Sequence, residues 1–153
     1  MTDGPAANRQ VVTDLFERAF DGGDLDAVRE LVANDFVNHT MPPGTRPDRE
    51  GLVATIEGLR AAFADLRYTV VDVVASGEAV VVRSRPSGTH TGSFAGIAPT
   101  GRRFEMDAIH MFRLRDGLVQ EHWGVHDDLG MLAQLGVAPP RAHPSEAFTP
   151  PTR

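Results

Sequence analysis

Six histidines stand out in this 153-residue chain, because imidazole is the side chain whose free pKa lies nearest neutrality and best suits proton transfer there. Three of them fall in segments that read as paired strands. In residues 103–115, Phe104, Met106, Ala108, His110 and Phe112 share one face, and Asp107, Ile109, Met111 and Arg113 share the other. In residues 118–126, Gln120, His122, Gly124 and His126 share one face, opposite Glu121, Trp123 and Val125. Asp116-Gly117 between the segments is a strong hairpin signal, so the strands become neighbours and His110 and His122 can lie on one surface. Both faces carry apolar residues, so polarity alone does not choose the inner one.

Other chemistries fit less well. The chain has no cysteine, which removes disulfides and thiolate metal sites. His122 and His126 stand four apart, a zinc spacing on a helix, but four residues of strand span about 13 Å, too far for one ion. There is no His-Glu-x-x-His run, so no metal site is expected. Asp127 and Asp128 precede an apolar run and read first as helix caps, with a buried acid at Asp127 left open. The glycine-spaced run at 88–92 has no helix after it to hold a phosphate, and Ser87 and Ser93 lack the strand-turn-helix setting of a nucleophile.

The elements that must position these residues begin with a helix. Val11, Val12, Leu15, Phe16, Ala19 and Phe20 form one apolar face, and Gly22-Gly23 ends it. Asp24 caps a shorter helix over 25–32, followed by Asn34-Asp35 and an extended piece at 36–39. Three prolines and a glycine make 41–47 a loop, and Asp48 then caps a third helix that buries Leu52, Val53, Ile56, Leu59 and Phe63. Valine-rich strands follow at 68–75 and 79–85, joined by a turn at 76–78, and then the histidine-bearing pair. A last helix spans 129–135 and closes at Gly136. Helices followed by antiparallel strands predict an α+β domain over residues 1–138, with helices covering one face of a curved sheet. Residues 139–153, rich in proline, read as a flexible tail.

Composition agrees with one globular domain: 41% hydrophobic and 24% charged residues. A net charge of -6 argues against nucleic acid, whose phosphates need a basic face. The first ten residues lack the pattern of a signal peptide and no apolar run approaches membrane-spanning length, so a cytoplasmic protein that does not act at a membrane is expected.

Several segments carry a resemblance. The runs THTGSFAGIAPTGRR (89–103), IHMFRLRDG (109–117) and EHW (121–123), with FVN (36–38), PDREG (47–51) and LAQLG (132–136), resemble the SnoaL-like polyketide cyclases of the nuclear-transport-factor-2-like superfamily over roughly residues 8–137. The resemblance implies a cone-shaped α+β barrel, a homodimer, and a site deep in the cone that needs no cofactor or metal. It aligns His110 with the family's pocket histidine and Asn38 with its pocket asparagine. The aspartate that serves as acid/base in the family's aldol cyclases falls at Gly124 here. With its Glu-His-Trp run, the chain resembles more closely the family's pyran-forming and other ring-closing members, which use other polar residues.

The combined expectation is a cofactor-independent cyclase acting on an apolar, polyketide-like intermediate. His110 and His122 would handle protons, Asn38 and His39 would orient a carbonyl or hydroxyl, and Met106, Phe112, Trp123 and His126 would complete the substrate contacts. Two rivals accompany it. An isomerase or epoxide hydrolase would need a carboxylate from Asp107 or Asp127. A non-catalytic binding protein would need none.

Overall fold

The computed structural model describes residues 4–41 and 44–138; the first three residues, Pro42, Pro43 and the expected tail at 139–153 lie outside the described residues. Helix α1 (Pro5–Asp14) starts on a proline, whose missing N–H is no loss in a first turn. It runs on directly as a wider π-helical segment, Leu15–Asp21. There the Gly22 N–H reaches the Glu17 carbonyl at 3.0 Å, a five-residue step. A Cβ on Gly22 would stand 2.7 Å from the Arg18 carbonyl oxygen, and Gly23 adopts a φ of 75°, so both glycines are needed for the exit. The widened turn buries Leu15, Phe16, Ala19 and Phe20 together.

Asp24 caps helix α2 (Leu25–Leu31) by accepting the Ala27 N–H. The helix ends at Leu31 rather than at the expected 32, because Val32 and Ala33 are already buried in strand β1 (Val32–Asn38). Asp48 caps α3 (Arg49–Ala62), which buries Leu52, Val53 and Ile56. Strands β2 (Arg67–Ser76) and β3 (Ala79–Thr89) form a hairpin through Gly77, whose φ is 56°. The expected end of β3 at Arg85, before a proline, is passed. Pro86 sits where β3 changes partner, from β5 (Ala108–Arg115) to the short β4 (Arg103–Glu105). The strand expected over 103–115 is thus two strands broken at Met106 and Asp107, with the alternation of faces preserved across the break.

The β5–β6 hairpin (β6, Leu118–His126) turns through Asp116 and Gly117, both at positive φ, as the dipeptide demands. Its register jumps from Arg113↔Glu121 to Leu114↔Val119, which leaves Gln120 unpaired. Val119 therefore points into the core, and Gln120 leaves the face it was expected to share with His122. Helix α4 (Asp128–Gln134) follows, with Asp127 as its cap and Met131 buried.

The sheet order is β1-β6-β5-β3-β2, with β4 beside β3, so β1 and β2 are free edges and the barrel does not close. The α+β class with N-terminal helices over a curved sheet stands, but the expected antiparallel sheet is mixed: β1 runs parallel to β6. Alternation reveals a strand and not its direction, and no short turn ties β1 to β6. One core joins the layers, with Phe16, Phe63, Phe104, Phe112 and Leu114 almost fully buried. Among the described residues no helix is long and apolar enough to cross a membrane.

Candidate active site

Helices and the inner face of the sheet enclose a cavity of about 580 Å³. Its wall is mostly apolar, with Phe20, Leu52, Leu59, Leu66, Phe94, Phe104 and Met106 among the lining. Polar groups gather where β1, β6 and β5 lie side by side. Register places Asn38 beside His122 and His110 opposite Gly124.

There a linear relay forms. Asn38 Oδ1 lies 3.0 Å from His122 Nδ1, and His122 Nε2 lies 3.0 Å from His110 Nδ1. The proton positions follow from the end of the chain. The Thr40 N–H donates to Asn38 Oδ1 at 3.1 Å, which fixes that atom as an acceptor. His122 Nδ1–H must then donate to it, leaving His122 Nε2 to accept from His110 Nδ1–H. His110 Nε2 is left with a lone pair, and this buried atom has no partner among the described residues. An unpaired buried acceptor is costly unless function uses it.

The electrostatics keep the relay neutral. Burial, reinforced by neighbouring His122 and His126, holds His110 well below the usual histidine range. Burial first, then His126 and His39, pushes His122 down to about 4. Burial also lowers His126, against an opposing pull from Asp128. All the cations are arginines, and none lines the cavity among the described residues. The His110 ring is set by aromatic packing, edge-on to Phe16 at 5.2 Å and to His126 at 5.1 Å.

Gly124 makes room for this crowding. A Cβ there would come within 3.2 Å of His122 Cε1 and Nε2 and of His126 Cε1. The glycine's N–H is held by the Thr40 hydroxyl at 2.7 Å. Gly124 is thus flanked by two imidazoles.

Of the expected site residues, Asn38, Met106, His110, His122 and His126 line the cavity. Three do not. His39 stands at the outer surface, bonded to Glu121 Oε2 at 2.8 Å and stacked on Trp123 at 4.4 Å. Trp123 belongs to the same outer pair, because beyond the bulge the odd positions of β6 face away. Phe112 is on the inner face but lies in the core, 2% exposed and packed between Phe16 and His122. Neither acid considered for an isomerase or hydrolase lines the cavity: Asp107 pairs with Arg85 at 3.3 Å on the outer side, and Asp127 caps α4. Among the described residues the carboxylate that does is Asp128, joined by Thr40 and the single tyrosine, Tyr68. Period-2 parity from Val70 could have found Tyr68. Nothing local distinguishes Asp128 from a second cap. Among the described residues no group of three or more histidines and carboxylates is arranged to hold a metal ion.

The site is thus an apolar cavity in a curved α+β shell, with one neutral imidazole relay at its wall. The chain belongs to the SnoaL-like polyketide cyclase family, whose model matches residues 10–135. It is 31% identical to the nogalonic acid methyl ester cyclase of Streptomyces nogalater over 120 residues, covering 77% of this chain and 90% of that one. It is 29% identical to the aklanonic acid methyl ester cyclase DauD of Streptomyces sp. strain C5, covering 88% of this chain and 86% of the relative. The crystal structure of wild-type IdmH from Streptomyces antibioticus superposes with a TM-score of 0.75 at 43% identity, covering 85% of this chain and 99% of that chain.

Proposed function

We propose that the protein closes a ring in an uncharged polyketide-like intermediate without a cofactor, with His110 Nε2 as the group that takes and returns the proton. The carrying observation is the unpartnered lone pair on His110, a residue of the cavity wall, made an acceptor by the relay from Asn38 through His122. The base removes a proton from an acidic C–H or O–H of the bound chain. The freed electron pair attacks an electrophilic carbon of the same molecule, and the His110 proton passes to the oxygen or carbon that receives negative charge. Atoms are conserved, so the product is an isomer. His122 and Asn38 are positioning residues: they fix the His110 tautomer, with His122 Nε2 accepting from His110 Nδ1–H and Asn38 Oδ1 accepting from His122 Nδ1–H as the ring becomes charged. The apolar wall holds a flexible chain near its closing geometry, which can lower the barrier by several kcal/mol.

An uncharged substrate fits the absence of arginine from the described wall and the neutral imidazoles. The acid methyl ester cyclases among the relatives support the same class. A cytoplasmic homodimer joined through the outer sheet face is part of this reading. Val125 is 75% and Ile109 45% exposed there, paired with one another beside Met111 and Trp123.

The test is incubation of the purified protein, in EDTA, with a panel of polyketide methyl esters that includes nogalonic acid methyl ester. The expected result is a product of unchanged mass and altered retention. Saturable binding across the panel with no new isomer would contradict catalysis and leave a binding protein.

A further inference from the structure

Tyr68 is a polar group in the cavity that the relay does not use. It lies on the inner face of β2 and is only 9% exposed, with its ring held against Phe20 at 5.1 Å and Phe16 at 6.1 Å. Its hydroxyl makes no hydrogen bond to any described residue, and it is not among the polar atoms sealed from all solvent. A buried phenol normally finds a partner for its O–H. Asp128, exposed at the start of α4, lines the same cavity, and its charge acts on Tyr68. Tyr68 and His110 both line this cavity, so one bound molecule can reach the phenol and the imidazole together.

The geometry points to a second polar subsite, formed by the Tyr68 hydroxyl and the Asp128 carboxylate, that binds a neutral hydroxyl group of the substrate away from the reacting centre. The assignment rests on the cyclase reading for its substrate, though not for its chemistry. A ligand hydroxyl can accept from the phenol O–H and donate to the carboxylate at once. A ketone or ether satisfies only the phenol, and a carboxylate is repelled by Asp128. Burial and the Asp128 charge both raise the Tyr68 pKa, which keeps the phenol a donor at any working pH. The carboxylate reaches His126 as well, where it favours the protonated ring, so it sits close to the imidazole cluster without joining the relay. Tyr68 and Asp128 thereby act in orientation: they set which end of an elongated substrate meets His110.

The experiment compares three fragments that share one apolar body: naphthalene, 2-methoxynaphthalene and 2-naphthol, titrated into the full chain and followed by protein amide NMR shifts. In the unaltered protein, 2-naphthol should bind tightest and naphthalene weakest, each step being about threefold to tenfold for one hydrogen bond. Tyr68→Phe keeps the ring packing and should bring 2-methoxynaphthalene to the level of naphthalene. Asp128→Ala leaves the Asp127 cap in place, removes the acceptor and should bring 2-naphthol to the level of 2-methoxynaphthalene. Affinities unmoved by either variant, or a 2-naphthol preference abolished by His110→Phe instead, would overturn the subsite while leaving the cyclase reading intact. No saturable binding of any fragment would remove both the subsite and the apolar cavity on which the proposed function stands.

Discussion

At the residue scale, the account turns on one proton inventory. Asn38 Oδ1 accepts from the Thr40 backbone, and each nitrogen beyond it is assigned in turn until His110 Nε2 emerges as the free acceptor. Nitrogen NMR of the histidine-labelled protein should therefore show His110 Nε2 and His122 Nε2 without protons at pH 7, and both Nδ1 atoms protonated. Asn38→Leu removes the terminal acceptor and frees His122 to reverse its tautomer. Turnover should then fall by about tenfold or more, in line with the loss of supporting groups that orient an active imidazole. An unchanged tautomer pattern in Asn38→Leu would show that the relay is set elsewhere.

At the scale of elements, β6 decides what the site can hold. Gly124 separates the side chains of His122 and His126, and a Cβ there meets both rings at 3.2 Å. Gly124→Asp should lower turnover and the melting temperature together, because the new carboxylate must displace an imidazole and desolvate without an assigned partner. A higher rate in that variant would mean that the family's acid chemistry still operates here.

Strand parity was enough to bring His110, His122 and His126 to one wall, because a period of two survives the break between β4 and β5. It could not set depth: Phe112 has the right face but is covered by Phe16. Nor could it foresee the bulge that expels Gln120, since an extra residue leaves no mark in polarity. The parallel β1–β6 pairing, which delivers Asn38 to His122, joins residues far apart in the chain and has no local signal. His39 and Trp123, expected separately as an orienting group and a substrate contact, belong to the outer surface, where they stack on each other. The helices were the most legible elements, with caps at Asp24, Asp48 and Asp127 all in place.

At the scale of the whole molecule, the histidine wall couples folding to pH. His122 has a folded pKa of about 4, below the ordinary 6.5, so the unfolded chain takes up a proton first as pH falls. Its contribution to stability is fully present above pH 6.5 and is lost as pH drops towards 4. For His122 alone this is on the order of 3 kcal/mol. His110 and His126 shift in the same direction and add to the loss. Chemical denaturation at pH 7.5 and 4.5 should reveal it, with a smaller change in His122→Gln. Equal stability at the two pH values would show that the wall is not desolvated. The outer sheet face makes a separate demand: light scattering at micromolar concentration should give the mass of two chains, and the mass of one would refute the dimer.

The central claim, that His110 moves the proton in ring closure, is tested most directly by the turnover of His110→Ala on a substrate that the unaltered protein converts, measured beside its binding and melting temperature. Loss of a positioned acid/base group should cut the rate by about 10²- to 10⁴-fold, while the variant still folds and still binds that substrate. A variant that binds and folds as before and closes the ring at the original rate would contradict the account.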